Sequence, residues 1–329
     1  MGARAGASRG LDRPGRADPE RARGLLYAAL AVLFFSTSAV LVRLASGLGP
    51  LEVAAYRLLV GSGVVGFAAA VLRRRARGGR GAPHPAGEAP PSPRTGAEAR
   101  LILAAGLAAA AHFALYIGSL YLRTIAHALV LVNLSPLLAA PLGALFLRER
   151  YGRDRLPGLV IALAGLGVMV GLEPRLDTRR LLGDLLAFGA ALAYAVYSLL
   201  GRSQRGRGDV LAYTRRVYLV AGLTLLGPAL WQRSLLLARG LLPGPGDLLA
   251  VVLLGLLPTA GGHTLYNAAL RRADAVTVNL IATQEVTGGV LLGFLVLGER
   301  PSLQAVLGGA LALLGLGLVL RRQPPSPSG

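Results

Sequence analysis

Residues 266–320 read YNAALRRADAVTVNLIATQEVTGGVLLGFLVLGERPSLQAVLGGALALLGLGLVL and align without a gap with residues 116–170, YIGSLYLRTIAHALVLVNLSPLLAAPLGALFLRERYGRDRLPGLVIALAGLGVMV. The constant offset is 150 residues, and 14 of the 55 aligned positions are identical. Upstream, an offset of 159 residues pairs Gly24 with Gly183, Arg43 with Arg202 and Arg57 with Arg216. Self-similarity at a fixed offset is the signature of an internal repeat. The chain is therefore predicted to be one structural unit present twice.

The composition of the chain is that of a membrane protein. Of its 329 residues 53% are hydrophobic and only 16% are charged, whereas about a quarter of the residues in soluble domains are charged. Apolar runs of about 20 residues recur along the chain, and a helix of that length crosses a hydrocarbon core of about 30 Å. The predicted fold class is an all-α polytopic membrane protein with ten transmembrane helices in two inverted five-helix repeats.

The apolar runs divide the chain into two repeats of five helices. A first repeat over 24–172 contains a flexible Pro-, Gly- and Arg-rich linker at 73–99, and a second repeat covers 181–320. A basic N-terminal tail at 1–23 is predicted to be disordered, and a short tail follows at 321–329. The ten helices are predicted at about 24–45, 51–72, 100–122, 124–147, 156–172, 181–200, 210–231, 247–270, 274–297 and 302–320.

The arginine residues predict the orientation in the membrane. The formal charge is +19, every basic residue is Arg, and about 24 Arg lie in the tails and even-numbered connections against about 7 on the other side. By the positive-inside rule both termini are cytoplasmic, in the inner or plasma membrane. An odd number of helices per repeat then inverts the two repeats, a common plan in secondary transporters. This distribution also argues against a nucleic-acid partner, which would require a basic stripe with interleaved aromatic residues on a soluble face.

Several motifs resemble those of one transporter family. They are Gly183-Asp184-Leu185-Leu186-Ala187, Ser135-Pro136, Leu297-Gly298-Glu299-Arg300 and the later Gly308 and Gly315. Together, in this order, they are similar to EamA-type members of the drug/metabolite transporter superfamily. The resemblance implies ten helices and carriage of a small metabolite or drug. Three departures are Phe34-Phe35-Ser36-Thr37-Ser38 where a Trp-Gly pair is frequent, Arg43 where Lys is common, and Val286 where Pro is usual. The missing Pro leaves the local shape of the ninth helix open.

Two charged residues inside predicted helices are the first candidates for a binding site. Ionisable groups inside a membrane are costly and mark functional sites by default. Glu285 lies about halfway along the ninth helix and is predicted to bind substrate or a proton; the alternative is a packing role. Arg57 lies two turns into the second helix and suits a substrate carboxylate or phosphate. Its alternative is a structural salt bridge, to Glu52 or to Glu285.

Polar stripes on further helices extend the candidate site. The eighth helix presents Thr259, His263, Tyr266 and Asn267 at helical spacing, and the third helix presents His112, Tyr116 and Ser119. These two stripes are predicted to form opposing walls of a cavity. The alternative is that their side chains make hydrogen bonds between neighbouring helices. Polar residues near the middle of two more helices complete the set, namely Asn133, Ser135, Asn279 and Thr283.

The function expected from these patterns is secondary transport by alternating access, with efflux as the expected direction. Arg57 and Glu285 would suit the two charges of an amino-acid-like zwitterion, a proton is the candidate coupling ion, and a homodimer is a candidate assembly. No GxxxxGK[ST] phosphate-binding loop is present, which excludes direct use of ATP on motif grounds. The His residues form no metal-ligand spacing and Cys is absent, so no metal or other cofactor is expected. The alternatives are a lipid-modifying membrane enzyme, which would need paired carboxylates or a metal, and a channel.

Overall fold

The computed structural model describes residues 19–78, 96–123, 125–148, 154, 156–170, 177–204, 208–238, 240, 242–297 and 303–321. All regular structure in these ranges is helical. Most of the two predicted tails and of the linker lies outside the described residues, and so do Gly298, Glu299 and Arg300 of the quoted motif. Helix begins at Pro19, so residues 19–23 of the tail predicted to be disordered are helical.

Each of the ten predicted segments is helical, which confirms the polytopic α-helical fold. Helix 1 consists of Pro19–Phe35 and Ser38–Leu44, and helices 2 and 3 are Pro50–Gly78 and Gly96–Leu122. Helix 4 consists of Ile125–Val132 and Ser135–Phe146, and helices 5, 6 and 7 are Leu156–Val170, Thr178–Arg202 and Val210–Ala238. Helix 8 consists of Pro245–Leu254, a π-helical Gly255–His263 and Thr264–Leu270. Helix 9 consists of Ala275–Ala282 and Glu285–Leu297, and helix 10 is Leu303–Arg321.

Length and hydropathy separate these helices into two groups. Within the described ranges, eight segments are long and apolar enough to span a membrane, and helices 5 and 10 are shorter apolar helices. Large apolar side chains such as Leu33, Phe67 and Trp231 are more than 60% exposed. Such a surface suits lipid and not water. The predicted segments of helices 2 and 7 ended too early, because both helices continue past arginine residues that hydropathy alone assigns to loops.

The packing of the helices follows the repeat. When each helix is replaced by its mate in the other repeat, the same pairs of helices are in contact. Helix 3 packs against helix 6, and helix 8 packs against helix 1. Helices 2 and 7, helices 4 and 9, and helices 5 and 10 pack against one another as repeat-related pairs. We call the face of the bundle where helix 1 begins and helix 10 ends the terminal face, and the face where helices 1 and 2 are connected the distal face.

Individual contacts also recur in the two repeats, at opposite faces. Arg43 Nη2 donates to the carbonyl of Arg123 at the distal face over 3.1 Å, and its repeat mate Arg202 donates through Nη1 to the carbonyl of Leu270 at the terminal face over 3.1 Å. In both cases a cation binds a carbonyl at the end of a helix, where it also interacts favourably with the helix dipole. The repeat therefore persists in side-chain interactions as well as in helix order.

Buried polar contacts tie the two repeats together at the distal face. Arg233 of helix 7 binds the Glu52 carboxylate of helix 2 through Nε at 2.6 Å and Nη2 at 2.8 Å, and the Glu52 side chain is 1% exposed. The suggested alternative of an Arg57–Glu52 pair is therefore wrong, because Arg233 occupies that carboxylate. Gly47 and Leu51 donate their backbone N–H groups across the repeats to Asp247 and Gln232, at 2.8 and 3.0 Å. We call the pair Glu52–Arg233, with these flanking contacts, the distal lock.

Helices 5 and 10 meet backbone to backbone through repeat-related glycines. A Cβ atom added at Gly165 would lie 2.6 Å from the Gly308 carbonyl oxygen, and one added at Gly315 would lie 2.6 Å from the Gly158 carbonyl oxygen. Backbone atoms cannot move aside as a flexible side chain can, so only glycine permits this approach.

The glycine seam gives a stability prediction with a control two residues away. Gly165→Ala is expected to destabilise the protein by about 1–3 kcal/mol, the usual cost of overpacking. Gly167→Ala, where nothing lies within 4 Å of the added Cβ, is expected to be neutral or stabilising because Ala is the better helix former. Thermal unfolding in detergent compares the two variants. Equal melting temperatures would show that helices 5 and 10 do not pack through this seam.

Candidate functional site

A small cavity lies among helices 1, 2, 3, 4, 6, 8 and 9. Its volume, taken as the space open to the centre of a water-sized sphere, is about 20 Å³. That is room for roughly one water molecule and is far below the 300–1,000 Å³ typical of small-molecule sites. Its lining residues are Phe35, Ser38, Arg57, His112, Phe113, Tyr116, Val132, Asn133, Tyr194, His263, Ala282 and Glu285.

Arg57 brings a positive charge to this cavity. The residue is 1% exposed. Its Nη1 donates to Ser38 Oγ at 3.2 Å and its Nε donates to Thr259 Oγ1 at 3.0 Å. The guanidinium carbon lies 4.6 Å from the ring centroid of Phe113. These partners are all neutral, so within the described ranges no carboxylate forms a salt bridge with Arg57.

Glu285 brings a carboxyl group to the same cavity. It is the first residue of the second half of helix 9, where the partial positive charge of a helix N-terminus stabilises a carboxylate. The Arg57 guanidinium interacts electrostatically with the Glu285 carboxyl group, and the Tyr116 hydroxyl also interacts with this group. That hydroxyl nevertheless makes no hydrogen bond of normal geometry, and no described cation lies within salt-bridge distance of Glu285. The alternative of a direct Arg57–Glu285 salt bridge is not what the structure contains.

The position of Glu285 follows from a break in helix 9. Thr283 Oγ1 donates to the carbonyl of Leu280 at 2.7 Å, and the backbone N–H of Gln284 donates to Ile281 three residues back. Side-chain hydroxyls that bond back to the preceding turn compete with the α-helical ladder and bend helices. The break therefore forms with Val286 in the position where Pro is usual, which resolves the local shape of this helix.

Helix 4 breaks at the equivalent place. Asn133 Nδ2 donates to the carbonyl of Leu129 at 2.8 Å, and the N–H of Leu134 donates to Leu131. At the offset of 150 residues, Asn133 and Leu134 correspond to Thr283 and Gln284. Both repeats thus contain a discontinuous helix, although only the first has a proline beside the break.

Helix 1 is also broken, between Phe35 and Ser38. Ser36 Oγ donates to Val32 and Thr37 Oγ1 donates to Phe34, at 2.8 and 2.7 Å. The second half begins with Ser38, which places its hydroxyl against Arg57. These hydroxyls stand where the resemblance leads one to expect Trp-Gly, and they explain why the helix can turn there without glycine.

Aromatic and imidazole rings form one wall of the cavity. The His112 ring stacks on Tyr194 at 4.6 Å between centroids, and His263 lies 4.5 Å from Phe35 and 5.0 Å from Phe113. His112 Nδ1 contacts the carbonyl of Ala190 at 3.1 Å, whereas His263 Nδ1 is buried without a hydrogen-bond partner. In the part of the chain described, no three His, Asp or Glu residues are grouped as metal ligands.

The π-helical part of helix 8 sets the positions of His263 and Thr259. Pro258 lies inside this segment and supplies no N–H group, so the regular ladder cannot continue through it. Thr259 Oγ1 donates to the Leu254 carbonyl five residues back, at 2.8 Å, and accepts from Arg57. Such π-helical bulges occur often at functional sites.

The structure divides the residues predicted for the site into two groups. Six of them line the cavity: Glu285, Arg57, His263, His112, Tyr116 and Asn133. Five lie outside its lining: Tyr266, Asn267, Ser135, Asn279 and Thr283. Three residues of the second group bond to one another or to helix 6. Tyr266 donates to Asn279 Oδ1 at 2.6 Å, Asn279 Nδ2 to Ser198 Oγ at 2.9 Å, and Asn267 Nδ2 to the Tyr197 hydroxyl at 2.6 Å.

Sequence reasoning missed part of the lining. Ser38, Phe35, Phe113, Val132 and Ala282 were not predicted, and Tyr194 of the sixth helix, a polar residue inside a predicted helix, was left out of the predicted set. Of the first five, only Phe113 had an available signal, because at the offset of 150 residues it is the repeat mate of His263. The others are ordinary membrane residues whose place is decided by the breaks in helices 1, 4 and 9.

In the described ranges, apolar helices arranged as two repeats surround a cavity lined by an arginine and a glutamate, which defines a polytopic α-helical membrane protein. A family model described as the EamA-like transporter family matches residues 22–171 and 181–321. The chain therefore belongs to this family and is a membrane transporter.

Individual relatives agree with the family. An uncharacterized transporter of Archaeoglobus fulgidus is 29% identical over 217 residues, which are 64% of this chain and 73% of that protein. A protein of Streptantibioticus cattleyicolor named "Probable terminal-alkyne amino-acid exporter" is 28% identical over 205 residues, 59% of this chain and 63% of that protein. A solved crystal structure superposes with a TM-score of 0.71 at 22% identity, covering 92% of this chain and 100% of that one, and supports the fold alone.

Proposed function

We propose that this transporter carries a small zwitterionic, amino-acid-like metabolite by alternating access, with the substrate held between Arg57 and Glu285. The observation that carries the proposal is the cavity itself. Its lining contains the buried Arg57 guanidinium and the partly buried Glu285 carboxyl group, and neither has a salt-bridge partner among the described residues. Charges buried in a membrane protein without a partner are costly unless a ligand or proton completes them.

The geometry supports a specific division of roles. The Arg57 guanidinium, held by two neutral hydroxyls, would bind the substrate carboxylate through a planar pair of donors. Glu285 would bind the substrate ammonium group, or a proton in its absence. The ring wall around His112 and His263 would contact the apolar part of the substrate. The relative named as an amino-acid exporter is consistent with such a cargo.

Alternating access fits the small volume of the cavity. A cavity of about 20 Å³ holds no amino acid, so binding requires the bundle to open toward one face. The two repeats would move against each other around the fixed site. The breaks in helices 4 and 9 supply bending points next to it. We infer from the arginine distribution that the terminal face is cytoplasmic, and efflux through the distal face is the proposed direction.

A lipid-modifying enzyme and a channel remain the competing functions. Among the described residues, neither a pair of neighbouring carboxylates nor a metal-binding group accompanies Glu285. The lock at the distal face and the nearly filled cavity are also unlike an open pore.

Transport in proteoliposomes tests the proposed function. We expect saturable counterflow of one or more labelled L-amino acids from a panel that also contains sugars, nucleosides and quaternary amines. Protein-free liposomes provide the background. Flux that never saturates would favour a channel, and conversion of lipid by the purified protein without a gradient would favour an enzyme. Saturable flux restricted to uncharged members of the panel would contradict the roles given to Arg57 and Glu285.

A further inference from the structure

A second cluster of buried polar groups lies between the central cavity and the terminal face. Tyr213 is near the start of helix 7, and Thr264 and Asn267 are in the last turns of helix 8. Three of their side-chain atoms, Tyr213 Oη, Thr264 Oγ1 and Asn267 Oδ1, are buried without a hydrogen-bond partner. Buried polar atoms without partners are rare and require an explanation, such as water or a ligand.

These atoms share a neighbourhood. Gly201 of helix 6 lies beside them: a Cβ atom added there would be 3.0 Å from Leu270 Cδ1, 3.1 Å from Asn267 Oδ1 and 4.0 Å from Tyr213 Oη. The groups are therefore closely packed in this form, and, as at the central cavity, the bundle would have to open before a substrate could enter. The Tyr218 hydroxyl interacts with Thr264 and Asn267 but donates its proton to the Thr259 carbonyl at 3.1 Å. Because its proton goes to that carbonyl, the Tyr218 hydroxyl donates a hydrogen bond to neither Thr264 Oγ1 nor Asn267 Oδ1.

Repeat symmetry shows that the polar character of this cluster is particular to one half of the protein. At the offsets of 159 and 150 residues, the mates of Tyr213, Thr264 and Asn267 are Ala54, Ala114 and Ile117, and the mate of Gly201 is Val42. Ala54, Ile117 and Val42 are buried apolar residues. The fold thus accommodates an apolar cluster at this place, and packing alone does not require the polar groups.

The cluster continues toward both the cavity and the terminal face. Asn267 Nδ2 donates to the Tyr197 hydroxyl, and the Tyr197 ring lies 6.1 Å from that of Tyr194, which lines the cavity. On the other side the Arg271 guanidinium lies 5.4 Å from the centre of the Tyr213 ring. A path from the terminal face to Glu285 would pass these residues in order.

We propose that Tyr213, Thr264 and Asn267 form a second, weaker binding site that receives the substrate from the terminal face before it reaches the central cavity. The inference rests on the proposed function. The two hydroxyls donate to the substrate carboxylate, assisted by the positive charge of Arg271, and Asn267 Oδ1 accepts from the ammonium group. Since this acceptor is neutral, the ammonium group is bound less tightly here than beside Glu285. Weak binding allows the substrate to move on.

The test combines Tyr213→Phe with Thr264→Val and measures transport from each face. Inside-out and right-side-out membrane vesicles are supplied with the labelled L-amino acid that gives the highest flux in the panel. We expect the concentration for half-maximal transport to rise about tenfold when substrate is supplied at the terminal face, equivalent to the loss of one or two hydrogen bonds. It should change by less than about twofold at the distal face. Thermal stability should change little, because Tyr213 Oη and Thr264 Oγ1 make no hydrogen bond of normal geometry that the variant could lose.

The matched control makes the same two changes at hydroxyls that do have partners. Tyr121→Phe removes a bond of 2.7 Å to the Leu48 carbonyl, and Thr224→Val removes one of 2.8 Å to the Val220 carbonyl. The control should lower thermal stability and leave half-saturation at the terminal face unchanged.

Three results would overturn the inference: equal weakening at both faces, unchanged half-saturation at the terminal face, or a loss of stability in the first variant as large as in the control. Wild-type protein that carries no amino acid overturns the proposed function and this inference together. Wild-type transport with an unaffected variant overturns this inference alone.

Discussion

Glu285→Gln is expected to reduce amino-acid transport by at least about 100-fold, equivalent to roughly 2.7 kcal/mol of lost interaction with the substrate. Gln has nearly the same shape as Glu but cannot bind an ammonium group as an ion pair. The carboxylate has no hydrogen bond of normal geometry and no salt bridge to a described residue, so the variant should fold with little change in melting temperature. Initial rates of counterflow in proteoliposomes measure the effect.

Glu20→Gln is the matched control for this prediction. Glu20 is an exposed carboxylate that pairs with Arg23 and Arg272 at the terminal face, and such surface pairs contribute about 0–1 kcal/mol. Its transport should be close to that of the wild type. If Glu285→Gln transports normally, Glu285 has a packing role. If it transports but no longer responds to a pH gradient, Glu285 is the site of proton coupling and not of substrate binding.

Glu52→Gln is expected to open the distal face. Removing one partner of a buried ion pair costs about 3–5 kcal/mol, here because Arg233 would remain buried without its carboxylate. Opening the face allows water to reach Arg233. The free-energy difference that favours the form closed at the distal face should therefore decrease, and the population open at that face should rise by about 100-fold.

The absence of cysteine from the sequence makes this shift measurable. A single cysteine introduced at Val132, in the cavity lining, would be the only thiol in the protein. Its rate of reaction with a membrane-impermeant maleimide supplied at the distal face reports opening. Glu98→Gln is the control, since it breaks an inter-repeat pair with Arg216 whose side chains are 40% and 31% exposed. Labelling that is equally fast in both variants would show that the distal lock does not hold the closed form.

The helices could be predicted from sequence because apolar length and the repeat offset report them directly. The polar stripes at equivalent places in the two repeats identified His112, Tyr116 and His263, which line the cavity, although the two histidine rings belong to one wall and not to opposing walls. The cost of membrane charges selected Arg57 and Glu285. The breaks could not be foreseen in full. Pro136 signals the one in helix 4, but that in helix 9 depends on a threonine hydroxyl that bonds back to its own turn. Threonine does this in many unbroken helices.

The partners of charged groups were harder to predict than their positions. Glu52 was considered as a partner of Arg57, which lies on the same helix, but its partner is Arg233 from the other repeat. Tyr266, Asn267 and Asn279 were predicted to face the cavity, and their side chains instead bond to each other or to helix 6. A helical spacing identifies the face of one helix, whereas the neighbour of that face depends on how separate helices pack.

The repeat mates of the distal lock form no ion pair at the terminal face, since the mates of Glu52 and Arg233 at the offset of 159 residues are Leu211 and Arg74; the inter-repeat pair there, Glu98–Arg216, is partly exposed. Such an asymmetry cannot by itself drive net movement of a solute, because the direction of net flux is decided by the gradients across the membrane. It can decide which compartment the empty carrier samples. A carrier that rests closed on one side responds to the substrate concentration on the other side. This single ion pair would therefore make the transport rate depend mainly on the concentration in one compartment, while the equilibrium between the two compartments is unchanged.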